Sequence, residues 1–338
     1  MGTSPVLTVT PQGLFCPAGP FYIDPWRPVD RALITHAHAD HARPGHARYL
    51  CAGPTAPVLK HRLGDITVET MEFGEAQTIG GARVSFHPAG HVPGSAQIRV
   101  EVKGEVWVFS GDYKTEPDGL CEPFEPVRCH CFITESTFGL PVFRWRPQGD
   151  VAADLNAWWR TSVGAGKTPM LGAYSLGKAQ RLLAMLDQGI GPILTHGAVE
   201  GTTEVLRQQG YGLPDTVPVT PDTALTEHPN AIVLAPPSAL GSTWARRFGP
   251  VSTGFASGWM QLRGIRRRRA ADRGFVLSDH ADWDGLNTAI RETGAERVLV
   301  THGYSEIFVR WLREQGYDAG VLETEFSGET LDTDEAES

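Results

Sequence analysis

Four residues able to bind a divalent cation fall within the stretch Thr35-His36-Ala37-His38-Ala39-Asp40-His41. Imidazole nitrogens and carboxylate oxygens suit borderline and hard divalent metals. A strand alone cannot aim all four donors to one side, because its side chains alternate. A strand end that turns into a loop or helix start can, and the apolar run 32–35 followed by the Gly/Pro-bearing 43–45 offers such a boundary. A lone histidine on a polar loop is usually just solvated, but a His-x-His-x-Asp-His spacing is far more specific. Three later segments share one design: a strand-like run, then a ligand-type residue beside a glycine that lets backbone crowd the site. They are Pro88-Ala89-Gly90-His91 after 83–86, Ser110-Gly111-Asp112 after 105–109, and Thr301-His302-Gly303 after 298–300. Strand ends converging on one edge would gather all of these donors.

Two more residues carry chemistry. Glu135 lies in Ile133-Thr134-Glu135-Ser136-Thr137-Phe138, and His280 in Val276-Leu277-Ser278-Asp279-His280-Ala281-Asp282. Each alone has an ordinary reading, a turn-capping carboxylate and a hydrogen-bonded core histidine. With the four metal-type segments they form a set that resembles the metallo-β-lactamase superfamily over nearly the whole chain. Within it, Glu135, His280 and His302 resemble the extra motifs of the β-CASP nucleases, and Leu176-Gly177-Lys178-Ala179-Gln180-Arg181 is similar to a helix start early in that branch's insert. The histidine at 302 resembles the RNA-processing branch rather than the Artemis-like one, which usually carries valine there. The bacterial ligase-associated DNA exonucleases share this histidine pattern, and their short length and compact insert resemble this chain best.

The resemblance implies an α/β fold: a metallo-β-lactamase αβ/βα four-layer sandwich with an inserted compact β-CASP α/β domain. It implies one metal on His36, His38 and His91, a second on Asp40, His41 and His302, and Asp112 bridging the two. The cofactors implied are two divalent metal ions, zinc first, with manganese or iron as alternatives. Such a pair acidifies a bridging water and neutralises charge on the phosphoryl oxygens. Asp40, Glu135 and His280 are then the catalytic candidates. Asp40 orients the nucleophile. His280 protonates the leaving oxygen or holds the scissile phosphate. Glu135 orients the His280 ring and favours its protonated form.

The elements that must position these groups divide the chain. Up to about residue 140 it is strand-rich, with runs at 32–35, 83–86, 97–102, 105–109 and 131–134. The middle mixes helices at 151–161, after a possible Asp150 cap, and 178–188, stopped by Gly189, with strands at 170–173, 193–195 and 232–235. Strands at 275–277 and 298–301 follow. This reads as a core of residues 1–143, an insert of 144–270, a closing core part of 271–322, and a disordered acidic tail of 323–338. Gly164-Ala165-Gly166-Lys167-Thr168 looks like the end of a phosphate loop, but Thr161 stands where the first glycine belongs, and the order reads helix, loop, strand.

The net charge of −9 argues at first against a nucleic-acid enzyme, but the acids from Glu323 on account for seven of those charges. Against this background, 263–273 holds six arginines in eleven residues. Arg263, Arg266, Arg267, Arg268 and Arg269, with Lys178, are candidates for a phosphate-backbone track that reads no sequence; a solvated face is the plainer alternative. Phe255 and Trp259 could stack on bases, though core packing is the more ordinary role. An odd count of five cysteines, the lack of a signal-like start and of a run of about 18 apolar residues suggest a reducing cytoplasm and no membrane. The expected function is a DNA exonuclease in repair, acting 5′ to 3′ and associated with an ATP-dependent DNA ligase. An RNA-processing ribonuclease with the same site is the alternative. A small-molecule metallo-hydrolase and an inactive scaffold are further ones.

Overall fold

The computed structural model describes residues 5–264 and 271–326, and the arginines at 266–269 lie outside the described residues. The chain is mixed α/β with several sheets and forms two compact units: Met1–Arg144 with Asp279–Glu329, and Trp145–Ser278. In chain order, the first unit opens with β1 (Thr8–Thr10), β2 (Gly13–Cys16), β3 (Phe21–Ile23), β4 (Arg31–Ile34), β5 (Arg48–Ala52), α1 (Thr55–Leu63) and β6 (Val68–Met71). These six strands make one sheet in sequence order. A second sheet follows with β7 (Ala76–Ile79), β8 (Ala82–Pro88), β9 (Ala96–Val102), β10 (Glu105–Phe109) and β11 (Cys131–Ser136).

The second unit contributes α2 (Gln148–Gly164), β12 (Thr168–Gly172), α3 (Lys178–Met185), β13 (Ile193–Thr195), α4 (Gly197–Gln208), β14 (Val217–Pro218), β15 (Ile232–Ala235), β16 (Val251–Ala256) and β17 (Arg273–Phe275). The chain then returns to the first unit with α5 (Trp283–Thr293), β18 (Arg297–Gly303), α6 (Ser305–Glu314) and β19 (Asp318–Val321). The second sheet of that unit runs β19-β18-β11-β10-β9-β8-β7.

Period-2 alternation explains the layering. On β10, Trp107 and Phe109 face the first sheet, in a core with Leu14, Phe21, Leu33 and Leu50, while Val106 and Val108 face the other way. Phe132, Val298 and Val300 join that second face, where α5 and α6 cover it with Leu286, Ile290, Phe308 and Leu312. The pairing also gathers the strand ends. Strands β10, β11, β18 and β19 are mutually parallel, and β9 is antiparallel to both β8 and β10. The C-terminal ends of β8, β10, β11 and β18 therefore lie along one edge, and the segments after or within them carry His91, Asp112, Glu135 and His302.

In the other unit a wholly parallel sheet, β14-β13-β15-β12-β16-β17, is covered on both faces, as parallel sheets are. Leu155 and Trp159 of α2 and Leu182 and Leu183 of α3 pack on one side, with Ala245 and Phe248 on the other. This unit runs past residue 270: β17 pairs with β16, and Phe275 and Leu277 sit in the same core, so it closes at Ser278. The helix expected at 151 begins at Gln148 behind Pro147, which leaves Asp150 inside its first turn rather than at the cap. The second helix stops at Met185, short of Gly189. α2 ends at Gly164 and β12 starts at Thr168, the helix-loop-strand order that a phosphate loop does not have. The acidic segment is not loose from its start, since Glu325 pairs with Arg27 and Phe326 is buried. Residues 327–338 lie outside the described residues. Among the described residues no helix is long and apolar enough to cross a membrane.

Candidate metal centre

The first unit brings every sequence-chosen metal donor to one place. His36 and His38 follow β4, where Thr35 O accepts a hydrogen bond from Ala96 N and so links the ends of the two sheets. His36 Nε2 and His91 Nε2 stand 3.1 and 3.0 Å from His38 Nδ1, and Asp112 Oδ2 lies 3.7 and 3.8 Å from those same Nε2 atoms. A second group lies beside it: His302 Nε2 is 3.1 Å from Asp112 Oδ1, the other oxygen, and His41 Nε2 is 3.5 Å from Asp112 Oδ2 and 3.6 Å from Asp40 Oδ2.

His41 Nε2, His302 Nε2 and Asp112 Oδ1 are buried and lack an aligned hydrogen bond, the 3.1 Å approach of the last two notwithstanding. A tetrahedral ion with ligands at about 2.0–2.1 Å needs donors about 3.4 Å apart. The observed spacings bracket that value, so the His/Asp donor set fits divalent-ion binding.

The histidines are held from behind, the arrangement that fixes tautomer and ring orientation at metal sites. Thr35 Oγ1 lies 3.0 Å from His36 Nδ1, Thr301 Oγ1 2.9 Å from His302 Nδ1, and the Asp279 carbonyl 2.8 Å from His91 Nδ1. Asp24 Oδ2 lies 2.8 Å from His41 Nδ1, while its carboxylate also accepts from the Thr35 amide and hydroxyl. Sequence reasoning missed Asp24. It follows an unremarked three-residue strand, and only its complete burial and a φ of 40° mark it as special. The threonines were visible as the residue before a histidine in two motifs, but their role was not. The motif glycines behave as expected. A Cβ on Gly90 would meet Lys114 O at 2.3 Å, one on Gly111 the Thr35 side chain at 2.8 Å, and one on Gly303 Ser136 O at 2.3 Å, all at positive φ.

Electrostatics follow from burial and crowding. Burial, then the neighbouring His41 and His91 rings, push the pKa of His36 well below the ordinary histidine value; burial and His280 do the same for His91. Burial opposes charge on His41 as well, but Asp112 and Asp40 outweigh it and raise its pKa well above the ordinary value. Burial likewise opposes charge on Asp112, and His41 and His302 overcome it to hold that carboxyl well below the usual range.

Beside the donors lies a third cluster, Asp112, Glu135 and His280. Both Glu135 oxygens reach His280 Nδ1, at 3.0 and 2.9 Å, and Oε1 also accepts from Tyr113 N at 2.8 Å. The His280 ring packs 4.6 Å from His91, centroid to centroid.

The nucleic-acid candidates fare differently. Arg263 is exposed in the second unit. Lys178 is buried, 1 % exposed, with Nζ 4.7 Å from the Tyr174 ring centroid, so it is not a surface phosphate contact. Its aliphatic stem and cation find a packed, aromatic setting at the start of α3. Phe255 is a core residue and Trp259 packs against the same cluster.

No family model matches the chain. It is 32 % identical over 315 residues to a probable DNA ligase of Opitutus terrae, covering 92 % of this chain and 30 % of that protein. It is 27 % identical over 201 residues to the endoribonuclease YSH1 of Mycosarcoma maydis, covering 48 % of this chain and 23 % of the relative. The chain thus spans less than a third of the length of these relatives. A crystal structure of a protein of unknown function from Enterococcus faecalis V583 shares the fold, with a TM-score of 0.60 at 10 % identity, over 88 % of this chain and 80 % of that one.

Proposed function

We propose that the chain is a two-metal phosphodiesterase acting on nucleic acid, built as a four-layer αβ/βα sandwich carrying a β-CASP insert. Its place is in the cytoplasm, as a DNA exonuclease of repair working alongside an ATP-dependent DNA ligase. The observation that carries the reading is one carboxylate, Asp112, shared by the His36–His38–His91 group and the His41–His302 group, with the Glu135–His280 pair next to it.

In this reading His36, His38 and His91 hold one divalent ion and Asp40, His41 and His302 the other, with zinc first and manganese or iron as alternatives. Such a pair, when bound, supplies an acidified water and offsets charge on the phosphoryl oxygens. Asp40 keeps some solvent access, at 19 % exposure, and accepts a hydrogen bond that orients the attacking water. Glu135 meets His280 Nδ1 with both oxygens, which supports a positioned His280 ring that protonates the leaving oxygen or holds the phosphate. The exposed Arg263, with Arg266, Arg267, Arg268 and Arg269, supplies a charge track for the backbone.

The similarity to an endoribonuclease supports RNA as the alternative substrate. The same residues would serve either polymer, because the chemistry acts on phosphate and only contacts to the 2′-OH distinguish the sugars. Matched single-stranded DNA and RNA, each labelled at one end, test this with metal-loaded protein. Stepwise DNA shortening with RNA intact is the expected result and gives the polarity. RNA loss with DNA intact selects the ribonuclease. No cleavage of either polymer by protein carrying two metals would reject the nuclease reading in favour of a small-molecule hydrolase.

A further inference from the structure

Residues 322–326 continue from the end of β19, whose partner β18 carries His302, and end with Phe326 against His41. Leu322 N donates to Val300 O at 2.8 Å, and three residues later Arg27 and Arg43 take hold. Arg27 Nη1 and Nη2 donate to the two Glu325 carboxylate oxygens at 2.6 and 2.9 Å, and Arg43 Nη2 donates to the Glu325 carbonyl at 3.2 Å. Arg43 lies two residues beyond His41, so the grip is on the loop that carries a proposed ligand.

The side chain that follows is 7 % exposed. Phe326 stacks on the His41 ring, 4.6 Å between centroids and 8° from parallel. Its other neighbours are His302 at 6.1 Å, Trp26 at 5.8 Å and Phe109 at 5.9 Å. One phenyl ring therefore touches donors from both sheets, and both belong to the same proposed ion. Of the donor histidines, the Phe326 ring meets His41 and His302, while the His36, His38 and His91 rings pack on one another and on His280.

We propose that Phe326 is a positioning residue for the Asp40–His41–His302 half of the centre: it fixes the plane of His41, closes that side to water, and makes the two metal positions unequal. Asp24 sets where His41 Nδ1 points; Phe326 sets the rotation of the ring about that bond, which a single hydrogen bond leaves soft. The Arg27–Glu325 pair is half exposed at 52 % and 44 %, and such pairs contribute little. The aromatic contact, not the ion pair, holds the strap.

The inference rests on the two-metal reading, and the test separates the two. Chelator-stripped full-length wild type, Phe326→Ala, Phe326→Tyr and Glu325→Gln are titrated with Zn²⁺ against a chromophoric chelator, with thermal melting alongside. The expected result is two equivalents for wild type; in Phe326→Ala one equivalent unchanged and the other weakened on the order of 10–100-fold, the range of supporting-shell losses. Phe326→Tyr restores it and Glu325→Gln stays near wild type. Two unchanged equivalents in Phe326→Ala, or equal weakening of both in step with a lower Tm, would overturn the role of Phe326 while leaving the two-metal centre standing. No tight equivalent in wild type would overturn the metal reading and this inference with it.

Discussion

Asp112 sits where four imidazoles and a second carboxylate meet, so its substitution should reach further than that of any one histidine. Asp112→Ala should remove both metals and all turnover. His280→Ala, by contrast, should leave metal content intact and lower kcat by about 10²–10⁴-fold, the span of general acid–base contributions. Metal analysis beside kinetics decides; equal loss of metal in the His280 variant would rule out its catalytic assignment. Asp24→Asn keeps the size of the residue behind His41 but removes the charge it meets at 2.8 Å, so metal affinity should fall by about 10–100-fold.

The sign of the pH dependence follows from the same residues. His41 is raised well above its ordinary pKa in the metal-free protein, so it holds a proton through neutrality that a metal at Nε2 must displace. His36 and His91 are lowered and already neutral there. Apparent metal affinity should therefore rise with pH up to the raised pKa of His41 and then level off. Calorimetry in buffers of different ionisation enthalpy reads the proton release; no release near neutrality would contradict the assignment.

At the scale of elements, the strand ends do the gathering and the glycines permit it. Gly303 terminates β18 at φ 86°, where a Cβ would meet Ser136 O at 2.3 Å. Gly303→Ala should cost roughly 1–3 kcal/mol as backbone strain and displace His302, which chemical denaturation and metal titration would detect. Leu286 of α5 is fully buried in the layer behind β11 and β18. Leu286→Ala should cost about 2–5 kcal/mol by cavity formation, with metal stoichiometry unchanged. The strands before the ligands were legible because Val, Ile and Phe runs end in Gly-bearing polar clusters, as at Glu105–Phe109, where expectation and structure coincide. The helix α1 and the three short opening strands were not. Thr55–Leu63 has a weak apolar stripe interrupted by Lys60, His61 and Arg62.

Across the whole molecule, the legible part is what local spacing encodes, and the illegible part is what distant segments make together. His36, His38 and His41 announce themselves within six residues, whereas the Arg27–Glu325 pair joins residues 298 apart. Glu323-Thr324-Glu325-Phe326 read as the start of a solvated tail because charge outweighs one aromatic, yet that aromatic is buried. The end of the second unit was misplaced for a similar reason. Arginine-rich sequence suggested a boundary at 270, while β17 completes the parallel sheet through its pairing with β16. A fragment of residues 145–278 should accordingly unfold at higher denaturant than one of 144–270, which loses Phe275 and Leu277 from its core. Equal midpoints would show that β17 adds nothing to that unit. The central claim is that one chain holds two divalent ions through a shared carboxylate, and bound metal per chain after reconstitution tests it most directly. Wild type should bind two ions and Asp112→Ala should retain none tightly; one ion in wild type, or two in both proteins, would contradict the shared-carboxylate centre.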